Sequence, residues 1–285
     1  VVTVFTAAVK MFLSGLHLPA FQEGFTTGLN YAISFLILQR FGLILATKQP
    51  AMTAAALATI VREERGEERR EDIVDFTARI CHSQLAAALG NIIVVSAGAI
   101  GFSFLWQLAF GRHFLELKEA TYVVDSLPVL HSGTAIYACL TGVILWLASL
   151  AGGWFDNWAA YHRLPRAVAE HPLGAWLGRE RMERWGAIVA RGASGWGTNI
   201  SLGFMLGYVH GAGRFLGIPM DVRHVTLNTG TFALAVAGGG QELPLGAFLW
   251  ALTGIAVLFV CSLGVSFLLS LFTAVRASSV PRREV

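Results

Sequence analysis

The sequence predicts an all-α, polytopic membrane helix bundle, with about six spans and two short re-entrant half-helices. Three observations predict it. First, 55% of the 285 residues are apolar and 14% are charged, with a mean hydropathy of +0.60. A soluble domain is usually about 25% charged, so this chain has too few ionic groups to cover a wetted surface. Its 19 Phe and 8 Trp are the opposite of a disordered composition. Second, uncharged stretches recur that reach the roughly 20 residues needed to cross a bilayer. Third, the cations gather on one side of those stretches.

Taken in order, residues 1–20 carry only Lys10 and form the weakest span, and residues 24–47 form a second, interrupted by Arg40. Residues 80–111, 126–155, 192–213 and 243–275 contain no Asp, Glu, Lys or Arg. These six give a single transmembrane domain over 1–285, with halves at 1–111 and 126–276. The chain opens Val1-Val2 without Met and has no small-residue cleavage motif. The expectation is a missing N-terminal region and no signal peptide.

Orientation follows from the loops. Lys48, Arg62, Arg65, Arg69, Arg70 and Arg79 precede the third span; Arg163, Arg166, Arg179, Arg181, Arg184 and Arg191 precede the fifth; Arg276, Arg282 and Arg283 close the chain. These 15 cations fall on one side, against Arg112, Lys118 and Arg223 on the other. The positive-inside rule places the rich side, with both termini, in the cytoplasm. Residues 61–80 form a charged cytoplasmic helix in which Arg65/Glu68, Glu67/Arg70 and Arg69/Asp72 are side by side. It reads either as a solvated extension of the third span or as a docking surface, and its mixed sign makes a poor nucleic-acid patch.

Two apolar segments are too short to cross. Residues 49–61 and 225–237 are 13 residues each, the length of re-entrant or interfacial segments. Pro50 suits a first helical position. Thr226 or Asn228 suits an N-cap, and Gly238-Gly239-Gly240 a stop. Lys48 and Arg223 stand just upstream of the two, so each segment reads as a half-helix or as an interfacial helix whose cation snorkels. One follows the second span and the other the fifth. With the likeness of Gly28-Leu29-Asn30-Tyr31 to Gly197-Thr198-Asn199-Ile200, this points to a three-plus-three inverted repeat with a midplane site. The order resembles aquaporins and formate channels, although Gln49-Pro50-Ala51 and Asn228-Thr229-Gly230 stand where aquaporins carry Asn-Pro-Ala. The candidate pore-lining residues are Lys48, Gln49, Pro50, Thr53, Arg223, His224, Thr226 and Asn228, with Asn30 and Asn199 on the preceding spans. Half-helix N-termini and two cations favour an anionic or neutral solute.

Other polar residues in the spans are Gln39, Arg40, Gln84, Asn91 and Arg214. The amides read as helix–helix hydrogen bonds and the arginines as internal partners or interface groups. Gly203, Gly207 and Gly211 form a tandem Gly-x-x-x-Gly, a surface for packing within the chain or for a homo-oligomer. Cys81, Cys139 and Cys261 lie far apart in sequence and read as separate buried thiols. His210 and His224 lack companion ligands, so neither metal nor cofactor is expected. No nucleophile elbow or phosphate loop is present. The lipid bilayer is the expected partner, with nucleic acid not expected from this segment.

The stretches Ala46-Thr47-Lys48-Gln49-Pro50-Ala51-Met52-Thr53 and Asp221-Val222-Arg223-His224-Val225-Thr226 resemble the proteobacterial integral-membrane family named site-specific recombinase (Gcr type). The resemblance covers nearly the whole chain and implies the membrane half of longer members, in a Gram-negative inner membrane. Strand exchange needs a Ser or Tyr nucleophile held with Arg and His against a phosphate, and no such set stands out here. Two functions therefore follow: a channel or transporter for a small anionic or neutral solute, and a membrane-anchored recombination protein as the family name states.

Overall fold

The computed structural model describes residues 2–43, 67–129, 132–218, 220–221, 223–239 and 243–278. Helices dominate, with no strand among the described residues. They are α1 (Val2–Gly15), α2 (Ala20–Arg40), α3 (Glu67–Phe110), α4 (Leu117–Asp125), α5 (Thr134–Tyr161), α6 (Leu164–Ala169), α7 (Gly174–Leu177), α8 (Arg179–Leu216), α9 (Val225–Gly239) and α10 (Leu245–Ser278). Three stretches, Ala78–Phe110, Thr134–Tyr161 and Leu245–Ala274, are long and apolar enough to cross a membrane. In the most apolar part of the first only 17% of residues are buried inside the protein, and in the third 28%. Leu108, Ile136, Leu245 and Leu268 point outward. An apolar exterior of this extent fits lipid, because soluble monomers rarely expose large contiguous apolar patches.

The span limits differ from the sequence reading where charge alone was the guide. Residues 126–155 become a helix at Thr134–Tyr161, because Ser126 and Leu127 close the end of α4 and Gly133, just before α5, takes a left-handed φ of 64°. The first apolar stretch yields only the 14-residue α1. It ends in a tight turn where His17 adopts a φ of 49° and Pro19 caps α2. At about 1.5 Å per residue such a helix falls short of a bilayer's width. The segment after α3 also gains structure. α4 begins with a reciprocal capping box in which the Glu119 carboxylate accepts the Glu116 backbone N–H at 3.1 Å.

Close backbone approach organises the bundle. A Cβ on Gly207 would lie 2.4 Å from the Gly28 nitrogen, one on Gly203 2.5 Å from the Ala32 nitrogen, and one on Gly211 2.9 Å from the Ala20 carbonyl. The tandem glycines thus seat α8 antiparallel on α2 within the chain. At one end of this seam Asn199 Nδ2 donates to Gln39 Oε1 at 2.5 Å, and at the other Arg214 pairs with Glu23 at 2.5 Å. Gln39 and Asn199 therefore join helices, as expected of the span amides, whereas the buried Asn91 Nδ2 has no hydrogen-bond partner. α5 packs on α8 through Gly152 and Gly197.

α5 runs parallel to α10: Gly142 faces Ser262 and Val265, and four residues on, Trp146 Nε1 donates to Thr273 Oγ1 at 3.1 Å. This contact corrects the reading of the cysteines. Cys139 and Cys261 come within hydrogen-bonding reach across α5 and α10, because Gly142 lets the helices close, while Cys81 is exposed. All three remain free thiols.

α9 sits inside this shell. It packs on α1, α3, α4 and α10, and Gly230 meets Ala7 of α1 and Val95 of α3. Leu227 enters a core with Tyr31, Phe35, Ile144, Leu145, Leu202 and Leu206, while Phe232, Leu234 and Ala235 join a second core with Val124, Leu127 and Leu258. A helix apolar on every side has to be enclosed, and this one is.

Candidate functional site

The approach to α9, residues 220–221 and 223–228, gathers several buried polar groups. Arg223 dominates it. Its backbone N–H donates to Thr141 Oγ1 at 3.0 Å. Its Nε donates to Asp221 Oδ2 at 3.1 Å, and its Nη1 to Thr134 Oγ1 at 2.7 Å, to Ser132 Oγ at 3.4 Å and to the Ser126 carbonyl. The guanidinium carbon stands 5.3 Å from the Tyr137 ring centroid, a cation–π distance. Arginine suits this because its planar fork can address several acceptors at once. The result is a staple joining the end of α4, the start of α5 and the entry to α9. Its side chain is 8% exposed, against 40% for Asp221.

The staple also sets where α9 starts. Because Thr141 takes the Arg223 N–H, the helix begins at Val225, ahead of the expected caps. Neither Thr226 nor Asn228 is the N-cap. Asn228 Nδ2 donates to the His224 carbonyl at 3.0 Å, within its own first turn. Thr226 is 2% exposed and its hydroxyl has no hydrogen-bond partner. His224 is buried beside it.

A second cation arrives from α1. Lys10 is half-buried, shares a side-chain hydrogen bond with Tyr31 and lies in the electrostatic field of Asp221 and Arg223. Among the described residues no carboxylate closes an ion pair with it. Nearby, the Thr6 hydroxyl donates to Ser34 Oγ at 2.7 Å and Asn30 Nδ2 donates to the Thr6 carbonyl at 3.0 Å.

Of the residues singled out from sequence, Arg223, His224, Thr226 and Asn228 share one turn. Asn30 is bonded to the Thr6 carbonyl of α1, and Asn199 of α8 is tied to Gln39. Lys48, Gln49, Pro50 and Thr53, with the 49–61 segment, lie outside the described residues. Sequence reasoning missed Lys10, Tyr31, Thr134 and Thr141. The available signal was Lys10, a lone ionisable residue in an apolar helix, which by default marks a functional or internally paired position.

The family model described as "SpecificRecomb: Site-specific recombinase" matches residues 1–285. The chain belongs to the site-specific recombinase family. No curated protein and no solved structure matches it. The site of this family member differs from what DNA strand exchange requires. Recombinase chemistry needs cations that reach a scissile phosphate, whereas Arg223 is enclosed by its own chain. The cations at the opposite end are partly neutralised on the surface: Arg166 pairs with Glu170 at 2.8 Å and Arg184 with Glu180 at 2.5 Å.

Proposed function

We propose that this member of the site-specific recombinase family is a multi-pass protein of the bacterial inner membrane, and that it conducts or carries a small anionic or neutral solute past the start of α9. The observation that carries the reading is an enclosed 15-residue apolar helix whose first turn opens beside Lys10, Tyr31, Asp221 and Arg223. Support comes from helix direction. α2, α5 and α10 run one way and α8 the other, so α8 ends and α10 begins at the same end of the bundle, as a re-entrant α9 requires. Irregular backbone at that depth is tolerated where protein buries it or where it lines a cavity. The six-span count, the cytoplasmic placing of both ends and a partner half-helix at 49–61 belong to this proposal. Purified protein in liposomes should pass chloride, nitrate or glycerol well above protein-free vesicles, and should exclude potassium. Background rates for all three, or a preference for potassium, would defeat the reading.

The family name supports a second reading, a membrane-anchored protein acting in DNA recombination. A DNA surface gives affinity that falls steeply with salt, by orders of magnitude for several phosphate contacts. Titrating purified protein with duplex DNA at several salt concentrations decides this, since binding that is absent or indifferent to salt removes it.

A further inference from the structure

We infer that Lys10, not Arg223, is the charge that binds the anion, in a small monovalent-anion site formed by the Lys10 ammonium, the Thr226 hydroxyl and the first-turn N–H groups of α9. This rests on the transport reading for its use, but it can be tested without it. The two cations differ in what they already hold. Arg223 commits its Nε to Asp221 and its Nη1 to Thr134, Ser132 and the Ser126 carbonyl, lies over Tyr137 and is 7% exposed, so it is held in place by its own chain. An ammonium has three N–H donors, and Tyr31 is the partner Lys10 has among the described residues.

Lys10 is partly buried, whereas Arg223 is 7% exposed. Thr226 supplies the independent sign of a ligand: a hydroxyl 2% exposed with no partner, in a fold that satisfies the neighbouring hydroxyls of Thr134 and Thr141. Buried polar groups are normally hydrogen-bonded, so an orphan marks a place where something else binds. Ala7, one turn before Lys10, lies against Gly230, one turn after Thr226, which sets the two polar side chains on adjoining turns of a packed pair. The α9 N-terminus adds backbone donors and about half a positive charge. Asp221 and Arg223 offset each other, which leaves Lys10 as the net charge of the cluster. Its ligand chemistry is a compact monovalent anion such as nitrate, chloride or formate.

The test is nitrate binding by the detergent-purified full chain, read as a saturable rise in melting temperature with sodium gluconate as the balancing salt. The parent should show it. Lys10→Met should weaken nitrate binding about tenfold or more, the scale of one charge-assisted hydrogen bond. Lys10→Arg should stay within about threefold of the parent, and Thr226→Val should lose severalfold affinity. If Lys10→Met does not fold, Lys10→Gln and Thr226→Val carry the same comparison. Absence of saturable stabilisation in the parent, or parent-like binding in the Lys10 and Thr226 variants, overturns the site. Binding without flux keeps this inference and removes the transport reading. Flux with nitrate binding unchanged in Lys10→Met does the reverse.

Discussion

Gly207→Val should prevent α2 from seating on α8 and leave little protein in the monodisperse peak of a detergent gel filtration. A Cβ at position 207 would stand 2.4 Å from the Gly28 nitrogen and 2.6 Å from the Gly24 carbonyl oxygen. Both are backbone atoms of a helix, so no flexible side chain can swing aside. The neighbouring approaches, Gly203 on Ala32 and Gly211 on Ala20, are nearly as close, so α2 cannot tilt away at one point without opening the seam at the others. Overpacking usually costs about 1–3 kcal/mol and occasionally more. With backbone on both sides, the upper end or beyond is expected, a large part of a typical 5–15 kcal/mol margin. Gly264→Ala is the control. Nothing lies within 4 Å of a Cβ there, and an Ala in a helix interior is worth about 0.5–1 kcal/mol over Gly. Parent-like melting of Gly207→Val would mean that α2 does not lie on α8 as described.

That seam was legible in the sequence because glycines every fourth residue on an apolar helix have few other uses. So were the long apolar helices: α10 and the apolar part of α3, Ala78–Phe110, fall close to the uncharged runs, although α3 itself continues back through charged residues to Glu67. The same criterion misplaced the start of α5 and overextended α1. Absence of charge does not distinguish helix from a turn, and neither the positive φ at His17 nor that at Gly133 leaves a mark on hydropathy. The site was half legible. Arg223 and Thr226 stand out because they precede a segment too short to span. Thr134, Thr141 and Tyr31 do not, because they come from α2 and α5 and acquire a role only when those helices converge. Cys139 and Cys261 follow the same logic, 122 residues apart in sequence and adjacent through Gly142.

Arg223→Leu should destabilise the protein by about 3–5 kcal/mol, because hydrogen bonds to a charged group are worth about 1.5–3 kcal/mol each and the guanidinium makes several. The loss does not come from Asp221, which is 40% exposed and can recover water. It comes from the acceptors left behind. Thr134 is fully buried and the Ser126 carbonyl accepts from the guanidinium, so both lose a charged donor, although Thr134 keeps its bonds to Ser132 and the Leu127 carbonyl. Arg223→Lys keeps the charge and the pairing with Asp221. It lacks the fork that reaches Thr134 and Ser126 together, so it should restore less than half of the loss. Thr141→Val removes the acceptor for the Arg223 N–H and should cost about 1–2 kcal/mol, with the start of α9 loosened. Denaturant or thermal unfolding in one detergent ranks the three. Destabilisation in the order Leu, Lys, Val at these positions would identify the arginine as the staple that fixes where α9 begins. The opposite pattern, parent stability in Arg223→Leu together with a collapse of anion flux, would return the arginine to the solute path and displace Lys10 from it. The two cations cannot exchange these roles without exchanging these outcomes, since a guanidinium bonded through Nε and Nη1 to three segments holds structure and an ammonium without an ion pair holds a ligand.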